Sequence, residues 1–171
     1  GTLYSKIRNP SNLLELLESV SQSVGKRIEI HFFGSVVDID TSLFSSSKIS
    51  IYFHGPVNYE KALNEMMNSD VLVNIGNTTK FQLPSKLVEY ASTGKPILNI
   101  TAIAEDSSSK FLVPYIQSRT VYIKNKLTTK IVNELVTYLN KKNVIDLDKN
   151  KYLLKKHEVE NIARDYESLF L

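Results

Sequence analysis

The 171 residues make one domain, or one domain with an appendage, at about 100–200 residues per domain, and two full domains do not fit. Apolar residues at 42% and charged residues at 23% match ordinary globular usage, which excludes disorder, collagen and coiled coil and lets the chain fold without disulfides or a metal. The lack of cysteine removes thiolate catalysis, zinc–thiolate sites and disulfide frameworks, and a dispersed net charge of +3 is too small for a nucleic-acid footprint.

No apolar run approaches the ~20 residues of a membrane span, and the N-terminus lacks the basic-then-apolar layout of a signal peptide. The expectation is a soluble, cytoplasmic domain. Gly1 placed directly before Thr2-Leu3-Tyr4 reads as the start of a fragment cut from a longer protein.

Taken in order, Pro10 to Ser23 is predicted as a helix with Leu13, Leu14, Leu16, Leu17 and Val20 at helical spacing, Asn9 as N-cap and Gly25 as its stop. Strands are predicted over Arg27–Phe33 and Lys48–Phe53, ended by Gly34 and by His54-Gly55-Pro56. Asp38-Ile39-Asp40 between them is an Asp-x-Asp triplet, read as loop rather than as metal ligands because nothing else supplies an octahedral oxygen site. Tyr59–Asn68 follows as a short helix with Ala62, Leu63, Met66 and Met67 inward. Asp70–Ile75 is an almost wholly apolar strand that stops at Gly76.

Pro84–Thr93 is the next predicted helix, closed by Gly94, and Pro96–Ile100 the next strand. Ser107–Tyr115 (helix), Thr120–Ile123 (strand), Thr128–Asn140 (amphipathic helix) and Lys149–Leu171 (helix) complete the alternation. No 20–50-residue repeat recurs. Strands alternating with helices need right-handed crossovers, so the predicted fold is α/β: a doubly wound parallel sheet, Rossmann-like, in three α/β/α layers. Ligands of such sheets sit beyond the carboxyl ends of the strands, at the loops that begin here at Gly34, His54, Gly76 and Asn99. The first strand, central in that order, is expected before Thr2.

Residues 74–100 carry the most chemistry. Setting helix residues 100° apart places Leu83, Leu87, Tyr90 and Ala91 on one face and Ser85, Glu89 and Ser92 on the other. The helix start offers the N–H groups of Ser85 and Lys86, with the Lys86 cation beside them, to an anion such as a phosphate. Glu89, one turn further, is acceptor-only when ionised and suits the two donors of a ribose diol. Its ordinary alternative is a solvated carboxylate paired with Ser85 or Lys86.

Asp70-Val71-Leu72-Val73 and the run Pro84-Ser85-Lys86-Leu87-Val88-Glu89-Tyr90-Ala91-Ser92-Thr93-Gly94-Lys95-Pro96-Ile97-Leu98 resemble the donor-binding signature of GT-B glycosyltransferases of the large retaining group. The resemblance extends over the whole chain. Gly1-Thr2-Leu3-Tyr4 with Arg8-Asn9-Pro10 is similar to the family's opening strand end and basic phosphate ligand, and Phe33-Gly34-Ser35 and His54-Gly55-Pro56-Val57 to its second and third strand ends. Asn161–Leu171 is similar to its closing helix. Two positions depart: Phe81 stands where the family has a first glutamate, eight residues before Glu89, and Leu83-Pro84 replaces its Phe-Gly pair.

The resemblance implies the nucleotide-sugar-binding half of a hexosyltransferase that uses a UDP-, GDP- or ADP-sugar, needs no cofactor or metal, and serves polysaccharide biosynthesis. Glu89 would bind the ribose hydroxyls, Arg8 and Lys86 the diphosphate charge, and Ser85 a phosphate. Asn77 and Thr78 would reach the sugar, and His54 with Gly55 would line the base pocket; catalytic residues are left unassigned. The acceptor, a glycan or lipid, would come through an N-terminal domain outside this chain, so the fragment alone is expected to transfer nothing. Lys141-Lys142, Lys149, Lys151 and Lys155-Lys156 are read first as a solvated helix face and second as a peripheral contact of the full-length protein with the inner face of a membrane. Two alternatives stand beside the transferase: a nucleotide-sugar epimerase-like domain, which needs acid/base carboxylates and histidines in its cleft, and a degenerate binding module, which Phe81 favours.

Overall fold

The computed structural model describes residues 1–78, 80–123, 127–141, 154, 155 and 161, and along them strand and helix alternate. β1 (Thr2–Tyr4) turns into α1 (Ser11–Val24), which buries Leu13, Leu14, Leu16, Leu17, Val20 and Val24. The helix begins one residue later than its sequence predicts. Pro10 holds the cap position, while Asn9 Oδ1 accepts from the N–H and hydroxyl of Ser11. Gly25, at φ 68°, closes it in the left-handed conformation that glycine adopts without steric cost.

Next come β2 (Glu29–Phe33), β3 (Ser35–Val37), β4 (Ser50–Gly55) and α2 (Tyr59–Asn68), the last capped by Asn58 Oδ1 on the Lys61 N–H. β5 (Leu72–Ile75), α3 (Lys86–Ser92), β6 (Ile97–Thr101), α4 (Ser107–Leu112), β7 (Ser118–Tyr122) and α5 (Thr129–Asn140) complete the order. α4 stops short of the predicted Tyr115 because Pro114 cannot continue it. β3 was not expected: Ser35–Val37 lies in a stretch read as loop, and Asp38 and Asp40 do fall in the loop after it, where Asp40 Oδ1 accepts from Ser42. The closing helix expected over 149–171 lies outside the described residues except at Leu154, Lys155 and Asn161.

Every strand pairing is parallel. β1 pairs with β3, β2 with β4, and β5-β6-β7 form a three-stranded sheet. The sequence predicts one doubly wound sheet, whereas among the described residues no ladder joins β2 to β5. β1, three residues long, runs beside β3 and pairs with neither β2 nor β5.

Alternate strand residues feed two cores. Ile30, Leu98, Ile100 and Val121 pack with α1 and with Leu135 of α5. Leu72 and Ile97 pack on the opposite side with Leu87 and Ala91 of α3 and with Phe111, Leu112 and Tyr115. The predicted faces of α3 hold: Leu87 and Ala91 are fully buried, and Ser85, Glu89 and Ser92 are exposed. On that second side a polar row crosses the sheet, with Asn74, Asn99 and Thr120 in one register. Asn74 Nδ2 donates to Asn99 Oδ1 at 2.7 Å, and Asn99 Nδ2 donates to the hydroxyls of Thr120 and Ser109 at 3.3 and 3.2 Å.

Candidate functional site

Carboxyl strand ends and the loops after them gather the polar residues singled out in the sequence. After β5 the chain turns at Gly76, where a Cβ would lie 2.8 Å from Asp106 Oδ2 and 3.2 Å from the Ile100 carbonyl, so a side chain there would have to displace the Asp106 carboxylate. That brings Asn77 inside, 2% exposed. Its Oδ1 accepts from Arg8 Nε at 2.7 Å and its Nδ2 donates to the Gln82 carbonyl at 3.2 Å. One amide thus ties the loop after β1 to both ends of the loop between β5 and α3.

Cations converge at the same place. Burial, the hydrogen-bonding reach of Lys86 and the charges of Lys86 and Arg8 together lower the Gly1 amine to about 6. Two side-chain cations, Arg8 and Lys86, thus lie near one point. Arg8 and Glu89 both act on Tyr90, whose hydroxyl burial pushes above the usual phenol range, Glu89 adding to the rise and Arg8 opposing it. Lys86 and Glu89 lie in the first turn of α3, where Leu87 and Val88 donate to the Pro84 and Ser85 carbonyls, and Arg8 is near enough to act on Tyr90 of the same helix. Ser85, Lys86 and Glu89 are exposed there, and so is Thr78.

His54 and Gly55 belong to the last two positions of β4 rather than to the loop after it. Gly55, at φ 72°, takes the Gly34 N–H on its carbonyl at 2.8 Å. His54 is exposed on a sheet face, stacked on Phe33 at 4.4 Å between ring centres, and its Nε2 is hydrogen-bonded to His31 Nδ1 at 2.8 Å. Tyr52 stacks on His31 at 4.7 Å and completes a row of four rings. The sequence reading missed His31, although its alternation with Phe33, opposite Tyr52 and His54, carries that signal. Phe81 is 94% exposed.

Arg8 and Asn77 are thus joined, with Ser85, Lys86 and Glu89 clustered at the start of α3 and electrostatically within reach of Arg8 through Gly1 and Tyr90, and His54 with Gly55 lies at the end of β4, which pairs with β2. Asp106 is a further residue that sequence did not single out. It is buried, caps α4 by accepting from the Ser109 N–H on Oδ1, and holds Oδ2 without a hydrogen-bond partner among the described residues. No cluster of three or more metal-ligating side chains occurs among the described residues, and no described helix is long and apolar enough to cross a membrane. An open cavity of about 350 Å³, lined by Phe44, Ser46, Ile49 and Tyr52 among others, shares no residue with the cation cluster.

The side chains present are two cations, an exposed carboxylate and, on β2 and β4, a row of stacked rings. No protein-family model matches the chain, and no curated protein matches it either.

Proposed function

We propose that this chain is the nucleotide-sugar-binding half of a GT-B glycosyltransferase, with its three parallel sheets acting as sectors of one doubly wound, Rossmann-like sheet. The observation that carries the reading is the convergence of Arg8, held by buried Asn77, with Lys86 and Glu89 at the carboxyl ends of parallel strands. In this reading Arg8 and Lys86 neutralise the diphosphate, and Ser85 donates its hydroxyl to a phosphate oxygen. Glu89 accepts from both ribose hydroxyls, His54 and Gly55 border the base, and Asn77 and Thr78 line the path to the sugar. Charge building on the leaving diphosphate meets these cations, with no metal required. The acceptor, a glycan or lipid, and the groups that touch it belong to a second domain at the cytoplasmic face of a membrane.

Phe81 supports a second reading, a module that binds donor without transferring sugar, because an exposed phenyl ring stands where the family's first glutamate would meet the sugar. Calorimetric titration of the chain with UDP, GDP, ADP and their sugar conjugates, with and without Mg2+, tests the common part of both. Saturable, metal-independent binding of one diphosphate is expected, weakened about tenfold or more by Glu89→Ala and by Lys86→Ala, each of which removes a charge-assisted contact. Absence of binding by every nucleotide refutes both.

A further inference from the structure

We infer that His31 and His54 form a cross-strand site for one divalent transition-metal ion, Cu2+ above all, in which the ion takes the place of the proton the two rings share. The nitrogens already meet. His31 Nδ1 and His54 Nε2 stand 2.8 Å apart, with ring planes 5° from parallel and ring centres 5.1 Å apart. That separation is the nitrogen–nitrogen distance plus one ring radius at each end, so the two imidazoles lie edge to edge in one plane with a single proton between them. Two nitrogens bound at right angles to one ion, about 2.0–2.1 Å from it, lie roughly 2.9 Å apart, and at tetrahedral angles roughly 3.3 Å. The step from proton to metal ion is therefore short.

Local structure prepares the pair. Phe32 pairs with Phe53 and Phe33 with Gly55, so His54 is the extra residue of a bulge in β4, the device by which a strand re-aims one side chain. Phe33 covers the face of His54 at 4.4 Å and Tyr52 the face of His31 at 4.7 Å. These flanking rings fix the imidazole planes yet let each imidazole slide within its plane, so both lone pairs can tilt outward to a common point above the sheet.

Behind His31 stands a carboxylate. Glu29 Oε2 is 3.8 Å from His31 Nε2, and its Oε1 is held by Arg27 Nε at 3.0 Å. A carboxylate at that position favours the proton on Nε2 and leaves the Nδ1 lone pair for an ion, the outer-shell arrangement of metal-binding histidines. His54 then carries its proton on Nδ1 and gives Nε2 to the ion. Both histidines are exposed, and no third described ligand joins them, so water fills the remaining positions and the ion exchanges freely. Imidazole nitrogens with open positions favour Cu2+ over Ni2+ and Zn2+, whereas Mg2+ seeks oxygen. The inference does not draw on the nucleotide reading.

The test titrates the chain with CuCl2, NiCl2, ZnCl2 and MgCl2, followed by calorimetry, thermal unfolding and, for Cu2+, pulsed electron paramagnetic resonance, which counts bound imidazoles by their remote nitrogens. One Cu2+ per chain is expected, carrying two imidazoles and bound more tightly than Ni2+ or Zn2+, with no effect of Mg2+. The pair exists only in the folded chain, so Cu2+ raises Tm. That rise disappears in His31→Gln and in His54→Gln, each of which weakens binding by about tenfold or more, and Glu29→Gln weakens it by about tenfold through His31. His157→Gln, at the third histidine of the chain, changes neither affinity nor signal. A single imidazole on the ion in the native chain overturns the inference without recourse to a variant. Unchanged Cu2+ affinity in both His31→Gln and His54→Gln, or its loss in His157→Gln, overturns it as well. A failure here with diphosphate binding intact leaves the donor-site reading standing, since that binding needs no metal.

Discussion

Replacing Asn77 with alanine removes an amide that is 2% exposed and makes two hydrogen bonds, one to the charged Arg8 guanidinium at 2.7 Å and one to the Gln82 carbonyl at 3.2 Å. A hydrogen bond to a charged group contributes about 1.5–3 kcal/mol and a neutral one about 0.5–1.5 kcal/mol. Arg8 is half-buried and regains water when its partner goes, so the first figure belongs at its lower end and the total loss is about 2–3 kcal/mol. For a chain of this size that lowers Tm by about 4–12 °C. Urea unfolding of the native chain, Asn77→Ala, Arg8→Ala and the double variant gives the coupling directly, expected at about 1–2 kcal/mol. In calorimetry Asn77→Ala also weakens diphosphate binding, since a guanidinium free to rotate must be ordered by the ligand. Additivity within about 0.5 kcal/mol, with full diphosphate affinity kept, would refute the claim that Asn77 holds Arg8 in place.

Gly34→Ala is expected to destabilise by about 2 kcal/mol or more and to lower Tm accordingly, because the new Cβ meets the Gly1 carbonyl at a φ that side chains rarely adopt; Gly1→Ala, with open space around it, is the matched control. Leu16→Ala, at a fully buried position of α1, should cost about 2–5 kcal/mol in urea unfolding, where a surface change such as Ser19→Ala stays within about 0.5 kcal/mol. Burial pushes the Tyr115 hydroxyl up to about 12 while it donates to the Lys95 carbonyl. The unfolded phenol ionises first, so its stabilisation is complete below pH 10 and is lost as pH rises from 10 to 12. Tyr115→Phe therefore shows a shallower alkaline decline in Tm than the native chain, with a remaining slope from Tyr138, which burial shifts the same way.

Periodicity made the helices legible. α2 matches its predicted span, and α1 and α5 match to within a residue, because their leucines and valines repeat with the helix turn and Gly25, Asn58 and Thr128 mark their ends. The faces of α3 were legible for the same reason. Strand ends were less so: His54 and Gly55 look like turn residues but pair within β4, since tertiary pairing overrides the local turn signal. β3 is three residues long, too short for alternation to register. Within the site, Lys86 and Arg8 could be chosen as cations by type and spacing. The burial of Asn77 depends on a contact 69 residues away, which no local pattern encodes, whereas the partnership of His31 with His54, 23 residues apart, is hinted at only by the strand alternation.

The row formed by Asn74, Asn99 and Thr120 works as a registration key for the parallel sheet. A slip of β5 by one residue against β6 would turn Asn74 into the apolar layer beneath α1, and a slip by two would set it against Ile97 or Thr101 and strand its amide. Each step of slippage also carries Gly76 and Asn77 along the strand by ~3.3 Å, beyond the reach of a hydrogen bond from Arg8. Two amides hidden in the middle of the sheet thus set, to within one residue, where the loop that meets Arg8 begins.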